Sequence, residues 1–304
     1  MIKIENLSFE YPTQYALNDV SCSIKENAIT ALVGPNGAGK TTLLKCLSAL
    51  LKPYSGGITI DGIDVIENPR EVNRVLGFLP DFFGLYDELT VHQSLFYFAL
   101  AHNYDHKEIT NRIEEVVERL NLSDKMHEKT GSLSRGMRQR LAISQAIIHR
   151  PKVLLLDEPA SGLDPEARHL LATLFHELRE QGMTLVVSSH ILAELDEYAD
   201  NLIILNEGKV SENTILTDSS STKSKIEFSV LFAEESLRAQ LEQIERIENI
   251  LIQGNSVTVT FNGDETEQHE LLKQLLNAHI PVSQFYLKRA NIQDQYLEIV
   301  STKE

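Results

Sequence analysis

The sequence predicts an α/β fold: a doubly wound, mostly parallel sheet carrying a helical insert, followed by a smaller α+β domain. Three observations lead there. KVLLLDEP and MTLVVSSH are apolar runs of strand length without alternation, the pattern of strands buried on both faces of a parallel sheet. ARHLLATLFHELREQG lies between them with helical periodicity and Gly182 placed to end it, which makes it a crossover helix. Composition then changes at the serine-rich stretch TDSSSTK, residues 217–223, after which short alternating strands and helices resume.

The elements follow in order. MIKIENLSFEYP alternates as a half-buried strand, and AITALVG is a short buried strand ending in a glycine-rich loop. GKTTLLKCLSALL reads as one helix with Leu43, Leu44, Leu47, Leu50 and Leu51 on a single face. GGITIDG is a strand closed by turns, and residues 89–122 are helical through most of their length. The helical insert spans about 89–150. NLIILNEGKV is a hairpin turning at Glu207–Gly208. Residues 1–216 form the first domain, 217–223 a linker and 224–304 the second. The second domain runs strand, helix, strand, strand, helix, strand, the ferredoxin-like order, and NIQDQYLEIV closes it as a last helix.

Bulk properties narrow the function. The 304 residues carry a formal charge of −16, which repels phosphate backbones and anionic lipid at long range and argues against nucleic acid as a partner. Cys22 and Cys46 are the only cysteines and give no disulfide framework. The opening residues are not a signal peptide, and no apolar run reaches the roughly 18 residues that span a bilayer, so a soluble chain is expected.

GPNGAGKT, Gly34–Thr41, fits G-x-x-x-x-G-K-[ST] between a predicted strand and a predicted helix, the context of a P-loop. Its glycines turn backbone N–H groups inward around phosphate, and the helix N-terminus adds its positive dipole end. Lys40 reaches the β- and γ-phosphates and the Thr41 hydroxyl ligates Mg²⁺. Asp157 and Glu158 stand where a buried strand ends, which is where open α/β sheets bind ligands. An acidic pair alone would be a loop cap; beside a P-loop, Asp157 is a Mg²⁺ ligand and Glu158 polarises the attacking water. His190 ends another core strand and can donate to the γ-phosphate.

In order, the chain carries GPNGAGKT, LSRGM, VLLLDEP, SGLD and SSH. That series resembles the ATP-binding cassette (ABC) ATPases across residues 1 to about 215. The resemblance implies a P-loop NTPase fold with an ABC-type nucleotide-binding domain and helical subdomain, ATP and Mg²⁺ as cofactors, and ATP hydrolysis as the activity. It places Tyr11 as the aromatic that stacks on adenine. Gly34, Pro35, Asn36, Gly37, Ala38, Gly39, Lys40, Thr41 and Thr42 match the phosphate loop. Asp157 and Glu158 match the Walker B aspartate and the catalytic glutamate, and His190 matches the switch histidine. Asp164 of SGLD matches the loop that couples two sites across a dimer. Ser134, Arg135, Gly136 and Met137 fall in the signature, which binds ATP in trans and usually reads LSGGQ.

Two positions depart from the family. Asp81 stands where a glutamine commonly senses Mg²⁺ and water; aspartate still ligates Mg²⁺ but adds charge beside the γ-phosphate. In the signature, Arg135 replaces glycine and Met137 replaces glutamine. Both resemble the branch that drives exporters of drugs, antibiotics, peptides or ions.

One P-loop and one signature make two half-sites, hence a head-to-tail homodimer, or a dimer with a paralogous ATPase subunit. The expected partner is a separate integral-membrane subunit gripped near Phe82, Phe83, Leu85 and Tyr86, with the chain on the cytoplasmic face of the membrane. The same aromatics would serve equally well as core. The alternative, a soluble ABC ATPase acting on nucleic acid or ribosomes, lacks the basic surface it needs. A nucleotide kinase or GTPase leaves the signature and SGLD unexplained.

Overall fold

β1 (Ile2–Tyr11) and β2 (Gln14–Ile24) form an antiparallel hairpin that buries Ile2, Ile4, Leu7, Leu17, Val20 and Ile24. A register shift between Ile4 and Leu7, where Asn6 takes a positive φ of 49°, keeps Leu7 inward despite its odd spacing. The structure, a computed structural model, describes residues 1–12, 14–215, 223–232, 237–244, 246–263 and 265–288. The chain divides into two compact units, Met1–Leu216 and Thr217–Glu304.

In the first unit there follow β3 (Ile29–Val33), α1 (Lys40–Leu47), β4 (Ser55–Ile60), β5 (Ile63–Asp64), α2 (Pro69–Val75) and β6 (Leu76–Leu79). Next come α3 (Val91–Ala101), α4 (His106–Arg119), α5 (Arg135–Ile147), β7 (Val153–Asp157) and α6 (Pro165–Glu180). The unit closes with β8 (Thr184–Ser188), α7 (Leu192–Leu195), β9 (Asn201–Asn206) and β10 (Lys209–Ile215). Among the described residues one sheet has the order β10-β9-β3-β8-β7-β6. Its strands from β9 to β6 are mutually parallel, and β10 pairs antiparallel at the edge. Every residue of β3, β7 and β8 is buried, as their unbroken apolar runs require.

A second sheet, β2-β1-β4-β5, is wholly antiparallel. The sequence shows two of its strands but not that they leave the parallel sheet. The leucines of α1 fill the space between: Leu43, Leu44 and Leu47 share one core with Ile2, Ile58, Leu155 and Ile203.

Two helices differ from the periodicity. α1 ends at Leu47, because Ala49 takes a left-handed φ of 58° and the amides of Leu50 and Leu51 turn back to the Lys45 carbonyl. Leu50 is therefore exposed rather than on the helix face. The long helical stretch is two helices, α3 and α4, separated where Asn103 adopts φ 62° and Asp105 precedes α4. The guanidinium of Arg112, buried on α4, donates to the carbonyls of Ile147 (2.6 Å) and Ile148 (2.7 Å), which closes the C-terminus of α5. The β9–β10 turn has φ 48° at Glu207 and 73° at Gly208, two consecutive left-handed residues of a tight hairpin.

The second unit contains β11 (Lys223–Val230), α8 (Leu237–Leu241), β12 (Ile247–Gln253), β13 (Ser256–Asn262), α9 (Glu265–Asn277) and β14 (Val282–Lys288). The sheet order β12-β13-β11-β14, antiparallel throughout, is the ferredoxin-like arrangement. It has its own core, including Ile226, Phe228, Val257, Val259, Phe261, Leu271 and Leu275. Residues 217–222 of the expected linker and all of the expected last helix, 291–300, lie outside the described residues.

Candidate active site

The loop between β3 and α1 is shaped by backbone packing. Gly39 has φ 105°, and a Cβ there would sit 2.4 Å from the Ala16 carbonyl oxygen. A Cβ on Gly34 would sit 2.1 Å from the Leu205 carbonyl oxygen. Only glycine fits either position. Lys40, the first residue of α1, is buried and donates its ammonium to the carbonyl oxygens of Gly34 (2.7 Å) and Pro35 (3.3 Å). Burial lowers its pKa, and the carboxylates of Glu158 and Asp157 push the other way. Thr41 is exposed and Thr42 buried.

Neighbouring parallel strands assemble the acidic half. Asp157 on β7 lies opposite Ser188 on β8. The Ser188 hydroxyl donates to Asp157 Oδ1 at 2.6 Å and accepts from the Glu158 amide at 3.0 Å. Asp157 is 1% exposed, and its Oδ2 is buried without a hydrogen-bond partner. An unpartnered buried carboxylate oxygen at the end of a strand fits a hard cation. Among the described residues no three His, Cys, Asp or Glu side chains cluster as a metal cage. Mg²⁺ commonly takes one or two protein oxygens and completes its shell with phosphate and water, so Asp157 with Thr41 suits it.

Glu158 adopts a left-handed φ of 50°, sparsely populated for a non-glycine residue and frequent at functional sites. The amide bond to Ser188 and the buried β7 strand hold it there. Its Oε2 accepts from the His190 amide (3.3 Å) and faces His190 Nδ1 at 2.6 Å. The histidine thus bears on the carboxylate as well as on the cavity.

One cavity of about 360 Å³ brings together Tyr11, Asn36, Gly37, Ala38, Gly39, Lys40, Thr41, Thr42, Asp81, Glu158 and His190. Tyr11 stands at its rim, edge-on to Phe9 with ring centroids 4.9 Å apart. Asp81, also on its lining, is exposed. Burial raises its pKa, and Asp157 and Glu158 add to that while His190 opposes it. A third carboxyl so close to two others is pressed towards its neutral form.

The signature residues lie elsewhere. Ser134 caps α5, its hydroxyl accepting from the Met137 amide at 3.3 Å. Ser134, Arg135, Gly136 and Asp164 line a separate cavity of about 290 Å³. Asp164 itself caps α6, accepting from the Ala167 amide at 2.8 Å. Arg138 pairs with Asp87 at 2.7 Å, and Arg140 donates to the carbonyls of Leu120 and Asn121. Of the apolar residues after Asp81, Phe82 (92%) and Tyr86 (62%) are exposed, so these two do not pack inside. Phe83 and Leu85 are half-buried. Tyr86 meets the exposed Tyr97 edge-on at 6.3 Å, extending the patch.

Sequence reasoning passed over Ser188, the hydroxyl that joins the two acidic residues. Its signal was the first serine of VVSSH, which registers with Asp157 only once the strands are paired.

Comparison with known proteins points to the same family as the motifs. Residues 17–161 match the family described as ABC transporter. The chain is 38% identical over 196 residues to the ABC transporter ATP-binding protein NatA of Bacillus subtilis (strain 168), covering 64% of this chain and 80% of that one. It is 37% identical over 213 residues to the bacitracin transport ATP-binding protein BcrA of Bacillus licheniformis, covering 70% and 69%. Among solved structures, a dimeric post-hydrolysis state of the ATP-binding cassette MJ0796 bound to ADP and Pi superposes with a TM-score of 0.64 at 28% identity, covering 71% of this chain and 98% of that one.

Proposed function

Because the chain belongs to the ABC transporter ATP-binding proteins, we propose that its Lys40–Glu158 cavity is one half of an ATP-hydrolysing site that powers a membrane exporter. The observation that carries this reading is the Asp157–Ser188–Glu158 arrangement beside Lys40. Asp157 and Thr41 would hold Mg²⁺, which would supply charge neutralisation to the phosphates. The glycine loop from Gly34 to Gly39 offers its amides to phosphate, and Lys40 exchanges its carbonyl partners for phosphate oxygens. Tyr11 stacks on adenine. Glu158 orients the attacking water and takes up its proton; His190, bonded to the same carboxylate, fixes its rotamer and contacts the γ-phosphate. Asp81 replaces the usual neutral sensor and adds a third carboxyl beside Asp157 and Glu158.

Ser134, exposed, and Gly136 and Met137, half-buried, line no part of this cavity, which supports a half-site completed by a second chain. Two chains therefore pair head to tail with two ATP molecules between them. The exposed Phe82, Tyr86 and Tyr97 form the contact with a separate integral-membrane subunit, which holds the chain at the cytoplasmic face of the membrane. Among the described residues no helix is long and apolar enough to cross a membrane. The likeness to a bacitracin transport protein supports a drug- or peptide-like substrate.

The test has two arms. Glu158→Gln is expected to retain ATP binding, to lose at least about 100-fold in turnover and to accumulate as an ATP-dependent dimer in size-exclusion chromatography. Wild-type turnover in that variant removes Glu158 from its role. Phe82→Gln with Tyr86→Gln is expected to abolish co-purification of the membrane subunit while ATP binding persists; undiminished co-purification refutes the docking assignment.

A further inference from the structure

Of the three arginines in LSRGMRQRL, Arg138 and Arg140 are engaged within the helical insert. Arg135 alone of the three leaves it. Its guanidinium donates to the carbonyl oxygen of Ser161 at 2.8 Å, across to the SGLD loop of the same chain. It also lies flat against Gly162: a Cβ at that position would fall 2.2 Å from Arg135 Cζ, with both terminal nitrogens within 2.4 Å. The absence of a side chain at Gly162, which has a φ of 68°, is what makes room for it. Ser161 in turn donates its amide to the Glu158 carbonyl oxygen at 3.1 Å. Two hydrogen bonds thus connect the first residue of α5 to the backbone of Glu158.

The far end of the loop is fixed by other means. Arg168 on α6 donates to the Leu163 carbonyl oxygen at 3.0 Å and pairs with Glu194 on α7 at 3.2 Å. The loop is anchored at Leu163 to the scaffold, so displacement of Ser161 by Arg135 is not shared with the rest of it. A cavity of about 630 Å³ runs beside the link, bounded by Asp81, Phe83, Arg135, Gln139, Glu158 and Ser161, which leaves the guanidinium space to shift.

We propose that Arg135 is a positioning residue that couples the two ATP half-sites of one chain: the signature, which faces the partner's nucleotide, and Glu158, which acts on the chain's own. The proposal rests on the head-to-tail reading above. When the start of α5 engages the γ-phosphate held by the partner, Arg135 moves with it, and the Ser161 carbonyl and Glu158 backbone follow. Occupation of one site thereby sets the carboxylate of the other. The usual glycine at this signature position has no side chain with which to make such a link.

The test uses the full chain and reads ATP hydrolysis against ATP concentration. The wild type is expected to show a Hill coefficient approaching about 2, the limit for two coupled sites. Arg135→Ala is expected to lower it measurably, towards the value that ATP-driven pairing alone gives. Gly162→Ala, which leaves Arg135 in place but evicts its guanidinium, is expected to do the same. Arg135→Lys keeps one donor for Ser161 and restores part of the coupling. Arg138→Ala breaks the Asp87 pair and the bond to the Thr130 carbonyl oxygen but leaves the Ser161 link in place, and keeps the wild-type coefficient.

In a Glu158→Gln background, ATP-driven dimerisation of Arg135→Ala and Gly162→Ala is expected to stay within about threefold of the parent, since the amides that meet phosphate are unchanged. Wild-type coefficients in both variants, or a wild-type coefficient of 1, overturn the proposal. Dimerisation lost in Arg135→Ala but kept in Gly162→Ala overturns it differently, by assigning the guanidinium directly to the partner's nucleotide. If the Glu158→Gln parent itself does not dimerise with ATP, the head-to-tail reading fails and takes the proposal with it.

Discussion

His149 shows how one residue reports its surroundings. It stacks flat on His102 with ring centroids 3.8 Å apart, and its Nε2 lies 3.0 Å from the Leu76 carbonyl oxygen. Burial, with the neighbouring His102 adding to it, pushes its pKa down from 6.5 to about 4. The folded state therefore rejects a proton that the unfolded chain accepts. This contribution to stability is complete above pH 6.5 and is lost as the pH falls towards 4. Denaturation midpoints at pH 7 and pH 5 should show the wild type losing about 1 kcal/mol more than His149→Gln. An equal loss in the two proteins rejects this account. The residues proposed for catalysis are far easier to read in the sequence than this one. Gly34–Thr41, Asp157 and Glu158 announce themselves because phosphate chemistry fixes residue type and spacing together. Ser188 and His149 act through partners 31 and 73 positions away, so no local pattern carries them.

At the scale of elements, α5 is defined from both ends. Ser134 caps its start, and Arg112 of α4 satisfies two carbonyls at its finish while bonding Glu115 at 2.6 Å. Glu115 also binds Arg150; burial alone would raise its pKa, but the two arginines outweigh it and hold the carboxyl at about 2. Arg112→Met strands those carbonyls and leaves Glu115 with weaker partners. It should destabilise the chain by about 3 kcal/mol, read as a shift in the urea midpoint; a change within about 0.5 kcal/mol would mean that water replaces the guanidinium. Periodicity revealed α6 but ran α3 and α4 together, because the break is made by Asn103 rather than by glycine or proline. It overran α1 for the same reason, with Ala49 in the left-handed region. The antiparallel sheet escaped notice because strand alternation gives a buried face but not its neighbour.

At the scale of the whole molecule, each unit has a separate core. A chain ending at Leu216 should therefore stay folded and bind ATP with unchanged affinity, measurable by circular dichroism and fluorescent-nucleotide titration; loss of helical signal would show that the first unit depends on the second. The sheet order has a further consequence, for how the chain is made. β3 carries the phosphate loop on its end, yet its neighbours are β8 and β9, each more than roughly 150 residues later. At synthesis rates of about 5–20 residues per second, a fully apolar strand emerges from the ribosome and waits on the order of ten seconds or more before either partner exists. Translation speed and chaperone supply during that interval, more than final stability, should govern the yield of active chain.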